Sequence, residues 1–243
     1  LGGVVRRHIQ PGVDVNKIPT VDWVMISHTH YDHLDRPSLR MLEGSGTLLS
    51  PKGGVPYIPG GVFEEVAGVD NWKTYTDSDG ARVTAVPAQH FGGRLLLDNF
   101  WDGEPYHGYV VEYQGVTIFF AGDTGYNPTL FKEIGERFDV DIALIPVGPT
   151  GSRRRSDLAR YVHVDPYEAV DIFRDVGARW MIPIHHSTFY NRGGAEMELI
   201  QDAIATSGMA ERILLLVIGE KVEFDAGAGR AALVNRTRAV GLN

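Results

Sequence analysis

The chain has 243 residues, 43% of them hydrophobic and 22% charged, a globular composition with enough apolar material for one sizeable core. A net charge of −8 argues against a nucleic-acid backbone as partner, since binding phosphates requires concentrated Lys and Arg, and the lack of cysteine excludes disulfides and thiolate ligands. No apolar run approaches the roughly 20 residues needed to span a bilayer.

In chain order, strands are expected at 23–27, 47–50, 82–86, 108–113 and 116–121, the last two joined by the turn-forming Gln114-Gly115. Asn127-Pro128 opens a helix with a cap residue and Pro at the first helical position, and Gly135 is expected to close it. Asp165-Pro166-Tyr167-Glu168 repeats the signal with a capping-box spacing, and Ala169, Ile172, Phe173 and Val176 give an apolar face ending at Gly177. A further helix over 196–207 carries Met197, Ile200 and Ile204 on one face. Continuous apolar runs at 141–147, 180–184 and 213–218 suit strands of a sheet covered on both faces. No repeat or linker divides the chain, so 1–243 is read as a single α/β domain of two sheets with helices outside.

The chemistry concentrates in Ser27-His28-Thr29-His30-Tyr31-Asp32-His33-Leu34-Asp35, with three imidazoles and two carboxylates in nine residues after the apolar stretch 23–26. On a helix His28 and Asp32 would share a face while His30 pointed away, so the cluster belongs on a strand-to-helix loop. His90, Asp123 in Gly122-Asp123-Thr124-Gly125 and His185 each follow a further apolar run. Imidazole and carboxylate are the ligands of borderline divalent metals, and six or seven of them at four strand ends are enough for two ions.

These motifs, in this order, resemble the metallo-β-lactamase superfamily over nearly the whole chain, roughly from Pro19 to Phe224. The strings Phe119-Phe120-Ala121-Gly122-Asp123-Thr124-Gly125-Tyr126, His163-Val164-Asp165-Pro166-Tyr167-Glu168-Ala169-Val170 and Ile184-His185-His186-Ser187-Thr188-Phe189 are similar to the branch of N-acylphosphatidylethanolamine phospholipase D and its bacterial relatives, beside the ascorbate-6-phosphate lactonase group. The resemblance implies an αββα sandwich. It also implies that the usual opening strand pair is missing, since only some twenty residues precede Trp23.

By the same resemblance His28, His30 and His90 look like ligands of a first metal, and Asp32, His33 and His185 like those of a second, with Asp123 bridging. The ions are expected to be Zn2+, with Mn2+ or Fe as alternatives that these ligands serve equally. Two cations about 3.5–4 Å apart share a hydroxide and clamp the attacking and leaving oxygens. Asp32, also counted among the ligands, and His163 are the catalytic candidates, with His163 reaching the substrate phosphate or leaving group. The implied activity is phosphodiester hydrolysis of a lipid-like phosphate substrate. A lactonase acting on a phosphorylated sugar lactone, or a metal-binding fragment without turnover, are the alternatives. No nucleic acid is expected as partner; a cytoplasmic location, peripheral membrane association and homo-oligomers are compatible with the sequence. The lack of Cys makes β-lactam hydrolysis less plausible.

The remaining residues receive milder readings. Asp35 is read as a helix cap, and His186 as a pocket wall or a hydrogen-bonding support. His8 and His107 lack context and are expected at the surface, while Phe100, Trp101 and Tyr106 are weighed as a lip over the site. Arg153-Arg154-Arg155 is taken as a solvated loop, with an anion-greeting role as the alternative.

Overall fold

A computed structural model describes residues 7–42, 44–91, 93–94, 106–149, 156–189, 194–226 and 231–237. Strands β1 (Trp23–Met25), β2 (Ser45–Pro51) and β3 (Phe63–Val69) form a parallel sheet in the order β1-β2-β3. Strands β4 (Thr74–Thr76), β5 (Arg82–Val86), β6 (Gly108–Tyr113), β7 (Val116–Phe120), β8 (Ile142–Pro146) and β9 (Trp180–Ile184) form a second sheet in sequential order. A hairpin of β10 (Lys221–Asp225) and β11 (Ala232–Thr237) stands apart.

Strand alternation sorts the core into layers. In β2, Leu48 points outward to Leu34, Leu39 of helix α1 (Arg36–Arg40) and Ile58, whereas Leu49 points inward to Val83, Ala85 and Tyr109 of the second sheet. Both leucines are fully buried, and each such side chain contributes roughly 1.5–3 kcal/mol. On the far side, Val110, Phe119, Ala143 and Met181 pack against helices α2 (Pro128–Arg137), α4 (Pro166–Val176) and α5 (Ala195–Thr206). The result is helix, sheet, sheet, helix. Polar ties cross between the sheets, among them the Tyr109 hydroxyl donating to the Ile26 carbonyl at 2.8 Å and Trp23 Nε1 to Asp77 Oδ2 at 2.9 Å.

Helix starts follow the expected chemistry. Asn127 caps α2, and Asp165 with Glu168 forms a complete capping box at α4. Asp35 caps α1 by accepting from the Ser38 amide. Between β8 and α4 lies a short helix, α3 (Asp157–Val162), which the sequence reading left as loop.

Several expectations are corrected. Gly135 does not end α2, which continues to Arg137; a Cβ there would lie 2.7 Å from the Val176 carbonyl, so the glycine permits the close crossing of α2 and α4. The apolar run 213–218 is no strand. Ile213 bridges Met181 and the Leu214 amide donates to the Met181 carbonyl, but there the ladder stops. Met181 and Pro183 present their backbone groups to that edge while Ile182 faces β8, so the next rung would need the N–H that Pro183 lacks. Strands β3, β4, β10 and β11 were not anticipated. Before Trp23 the described residues form only the 3-10 turn Val15–Lys17, and residues 1–6 lie outside the described set.

His107 is a further correction: it is 1% exposed rather than on the surface, whereas His8 is exposed as expected. Its ring lies 2.7 Å from Asn71 Oδ1 and 3.2 Å from the Val69 carbonyl, joining the end of β3 to the start of β6. Burial lowers its pKa to about 4, against 6.5 for an ordinary histidine. The unfolded chain therefore binds a proton that the folded chain refuses, and stability present above pH 6.5 drains away as pH falls toward 4. Between pH 7 and pH 5 this amounts to about 2 kcal/mol. In urea unfolding of metal-free protein, His107→Gln, though less stable at pH 7, should lose about 2 kcal/mol less than wild type over the same interval. Equal pH dependence in both proteins would show that His107 does not govern it.

Candidate metal centre

Strands β5, β7, β8 and β9 all run the same way, because β6 is antiparallel to both neighbours and β7, β8 and β9 are mutually parallel. Their carboxyl ends meet at one sheet edge, the usual place for a site in an open α/β sheet. His90 follows β5, Asp123 follows β7 and His185 follows β9. The first sheet delivers the rest. Its β1 leads into His28, and His30–Leu34 forms a tight turn in which the His33 and Leu34 amides both donate to the His30 carbonyl. His28 bridges Tyr106, and the His107 amide donates to the Ser27 carbonyl, so this loop is hydrogen-bonded onto the second sheet.

The structure brings all eight sequence-selected residues together. Asp123, 4% exposed, is surrounded by imidazole nitrogens: His33 at 3.3 Å, His185 at 3.4 Å, His163 at 3.8 Å, His28 at 3.9 Å and His90 at 4.0 Å. Asp32 Oδ2 stands 3.5 Å from both His33 Nε2 and His185 Nε2. His30 Nδ1 is 2.8 Å from His28 Nε2 and 3.4 Å from His90 Nε2. Among the described residues, four groups could hold an ion: His28-His30-His90, Asp32-His33-His185, His28-His33-Asp123 and His90-Asp123-His163.

Four of the rings, those of His28, His33, His90 and His185, are fixed from behind. His90 Nδ1 bonds the Val162 carbonyl at 2.6 Å, His185 Nδ1 the Gly148 carbonyl at 2.9 Å, and Ser27 Oγ lies 3.1 Å and 3.5 Å from the Nδ1 atoms of His28 and His33. A carbonyl partner makes Nδ1 the N–H tautomer and leaves Nε2 with its lone pair toward the centre. Burial reinforces this by lowering the pKa of His28 and of His90, the latter to about 3.

The centre demands positive charge. Burial would raise the pKa values of Asp32 and Asp123, yet the adjoining His185 and His33 rings outweigh it and hold both carboxyls well below the usual range. For His33, burial is outweighed by hydrogen bonds to Asp123 and Asp32, pushing it up to about 10. Asp123 Oδ1 is buried without a hydrogen-bond partner. Two ionised carboxylates, inward lone pairs and an orphaned buried oxygen fit divalent cations.

His163 terminates α3 in the short link to α4, with its ring stacked 5.9 Å from His185. His186 lines a cavity of about 240 Å³ beside the centre, together with Asp32, His33, His185, Phe189 and Glu196. Phe91, which the sequence reading passed over, is 46% exposed and packs 4.7 Å from His30 and 5.0 Å from His90; its position directly after His90 was the available signal. Tyr106 lies 6.3 Å from His90. Phe100, Trp101 and Arg153-Arg154-Arg155 lie outside the described residues.

Comparison with known proteins then settles the family. A family model described as the beta-lactamase superfamily domain matches residues 2–186. The chain belongs to the metallo-β-lactamase superfamily. Its relatives there include the mitochondrial N-acyl-phosphatidylethanolamine-hydrolyzing phospholipase D of Saccharomyces cerevisiae, 31% identical over 77% of this chain and 41% of the yeast protein. A UPF0173 metal-dependent hydrolase of Anaeromyxobacter dehalogenans is 29% identical over 88% of this chain and 75% of its own. Among solved structures, a metallo hydrolase of the archaeon Ignicoccus hospitalis superposes with a TM-score of 0.59 at 22% identity, covering 82% of this chain and 77% of that one, and shares the fold. The chain spans about half the length of the first curated relatives, between 41% and 54%. The Anaeromyxobacter relative is named a metal-dependent hydrolase, and the Ignicoccus protein a metallo hydrolase. Among the described residues no helix is long and apolar enough to cross a membrane.

The turn at Asp123 depends on its glycines. Gly122 has φ +63° and a Cβ there would sit 2.9 Å from Ser27 Cβ; at Gly125 a Cβ would overlap the Tyr161 carbonyl. The Gly125 amide also donates to the Gln89 carbonyl, knitting the ends of β5 and β7. Gly125→Ala should destabilise the protein by about 3 kcal/mol, the upper part of the overpacking range, in a denaturant titration. A loss under about 0.5 kcal/mol, the size of an ordinary surface change, would show that this approach is not tight.

Proposed function

We propose that the chain is a binuclear metal-dependent phosphodiesterase acting on a phospholipid-like substrate. The observation that carries the reading is the convergence of seven acceptor side chains from both sheets, with His28, His90 and His185 anchored behind by hydrogen bonds and their Nε2 atoms turned inward. His28, His30 and His90 would hold one ion and Asp32, His33 and His185 the other, with Asp123 between them. Zn2+ is the proposed metal, with Mn2+ and Fe open to the same donors. Two such ions supply Lewis acidity toward a phosphoryl oxygen and bring the pKa of water down to about 7.

The chain's own groups do the rest. Asp123 offsets the mutual repulsion of the ions from a buried position where its charge is little screened. Asp32 is the more open of the two carboxylates, with 31% of its side chain exposed, and faces the cavity where a substrate arrives. His163, with 24% of its side chain exposed, offers a ring N–H to the leaving oxygen. The names of the yeast and nematode phospholipase D relatives support a lipid-like phosphodiester, and the acidic net charge supports a substrate other than a nucleic acid.

Metal analysis of reconstituted protein should find two ions per chain. The loaded protein should cleave bis(4-nitrophenyl) phosphate and an N-acylphosphatidylethanolamine, lose that activity to a chelator and regain it with Zn2+ or Mn2+. Cleavage of phosphorylated lactones without diester cleavage would make it a lactonase; two ions with no turnover on either class would make it a binding module. One ion or none would overturn the binuclear assignment.

His163→Ala should keep two ions and its thermal stability while losing roughly 10²–10⁴-fold in kcat on diesters with alkoxide leaving groups, the range for a positioned acid or base. The deficit should shrink for a nitrophenolate, which needs no proton. Loss of an ion from the variant would make His163 a ligand, as its grouping with His90 and Asp123 allows geometrically.

A further inference from the structure

The last ligand, His185, sits on an awkward stretch of backbone. His185 and Ser187 both adopt positive φ, at 60° and 63°, although neither is glycine. Residues with a Cβ hold such angles only where their surroundings over-determine them. Two of the restraints are close at hand: β9 hands the chain over at Ile184, whose carbonyl accepts from the Val147 amide, and His185 Nδ1 is tied to the Gly148 carbonyl. The third comes from elsewhere in the chain. The Ser187 amide donates to Glu196 Oε2 at 2.9 Å.

Glu196 is 5% exposed and is the second residue of α5, where the helix's free amides favour a carboxylate. It shares the cavity wall with His33, His185 and His186, yet belongs to none of the metal-capable groups found among the described residues. It also lies beyond residue 186, where the family match ends. A buried acid beside a metal centre, taking no part in ligation and bonded to the backbone two residues past a ligand, has a mechanical use.

We propose that Glu196 is a positioning residue: its carboxylate clamps the Ser187 amide, fixes the left-handed turn, and so aims His185 at the second ion. This rests on the ligand allocation under the proposed function. The hydrogen bond, not the negative charge, is what the turn requires. The two can be separated. Glu196→Gln keeps an oxygen at the same reach without charge. Glu196→Asp keeps the charge but falls about 1.5 Å short of the amide. Glu196→Ala removes both.

The test is a Zn2+ titration of metal-free protein by calorimetry, with circular dichroism confirming the fold. Wild type should bind two ions. Glu196→Ala and Glu196→Asp should keep the first and bind the second about 10–100-fold more weakly, the usual loss when a support behind a ligand is removed. Glu196→Gln should stay within about threefold of wild type, well inside that range. Adding Ser187→Gly to Glu196→Asp should recover part of the loss, because glycine accepts positive φ without the clamp. Wild-type affinity in Glu196→Asp, or a lost ion in Glu196→Gln, would overturn the proposal in favour of a purely electrostatic role. That pair decides the matter even if the alanine variant fails to fold. A wild-type protein that binds fewer than two ions would instead overturn the ligand allocation itself.

Discussion

Asp123 is a carboxylate at 4% exposure, and among the described residues no Lys or Arg pairs with it. Burying an ion is tolerated only when it is paired and hydrogen-bonded. Among the described residues the compensation is imidazole, from five histidines on four segments of backbone. That requirement orders much of the surrounding structure. The ends of β1, β5, β7 and β9 have to arrive at one point, α3 has to stop at His163, and the backbone has to turn at Gly122 and Gly125 with no room for a side chain. The Asp123 and Asp32 carboxylates push the pKa of His33 up to about 10, which marks where positive charge is wanted.

The residues of the centre were legible because metal chemistry restricts side-chain type so narrowly. His28-x-His30-x-Asp32-His33 has few structural uses, and each later candidate stood at the end of an apolar run, where a sheet delivers side chains to its edge. The helices were legible through their caps: Asn127-Pro128 and Asp165-Pro166 mark backbone positions whose amides need an acceptor, a demand independent of tertiary context. The four-layer order followed from continuous apolar runs, which suit a sheet covered on both faces, and from the family resemblance together.

What the sequence concealed depends on partners far along the chain. The run 213–218 is as apolar as a buried strand, but whether it pairs is decided by Pro183, some thirty residues earlier. Gly135 reads as a helix stop until α4 is laid across it. His107 reads as a surface residue because its neighbours in sequence are Tyr106 and Gly108, while its neighbours in space are Val69 and Asn71. Strands β3 and β10 are rich in charge, with Glu64, Glu65, Lys221, Glu223 and Asp225, and their pairing is settled by backbone register rather than by hydrophobicity. Glu196 gave no signal at all. An acid in the first turn of a helix is ordinary, and only the strained turn at Ser187 gives it a task.

The ligands are divided between the sheets in a way that matters for the fold as much as for chemistry. On the proposed allocation each ion takes two ligands from the loop after β1, His28 with His30 or Asp32 with His33, and one from the second sheet, His90 or His185. Neither sheet can complete a set alone. The inter-sheet core around Leu49, Val83 and Tyr109 is small beside the cluster under α4, and the polar ties at Tyr109 and Trp23 supplement it. An ion bound across this seam adds its binding free energy to whatever those contacts supply, since the unfolded chain holds no preformed site. The centre then acts as a rivet between the two sheets, and its geometry is stiffest where both sheets restrain it. The His185 end is the exception. There the ligand hangs beyond the last rung of β9 on a turn of positive φ, so its precision has to be borrowed from a helix that follows it in the chain.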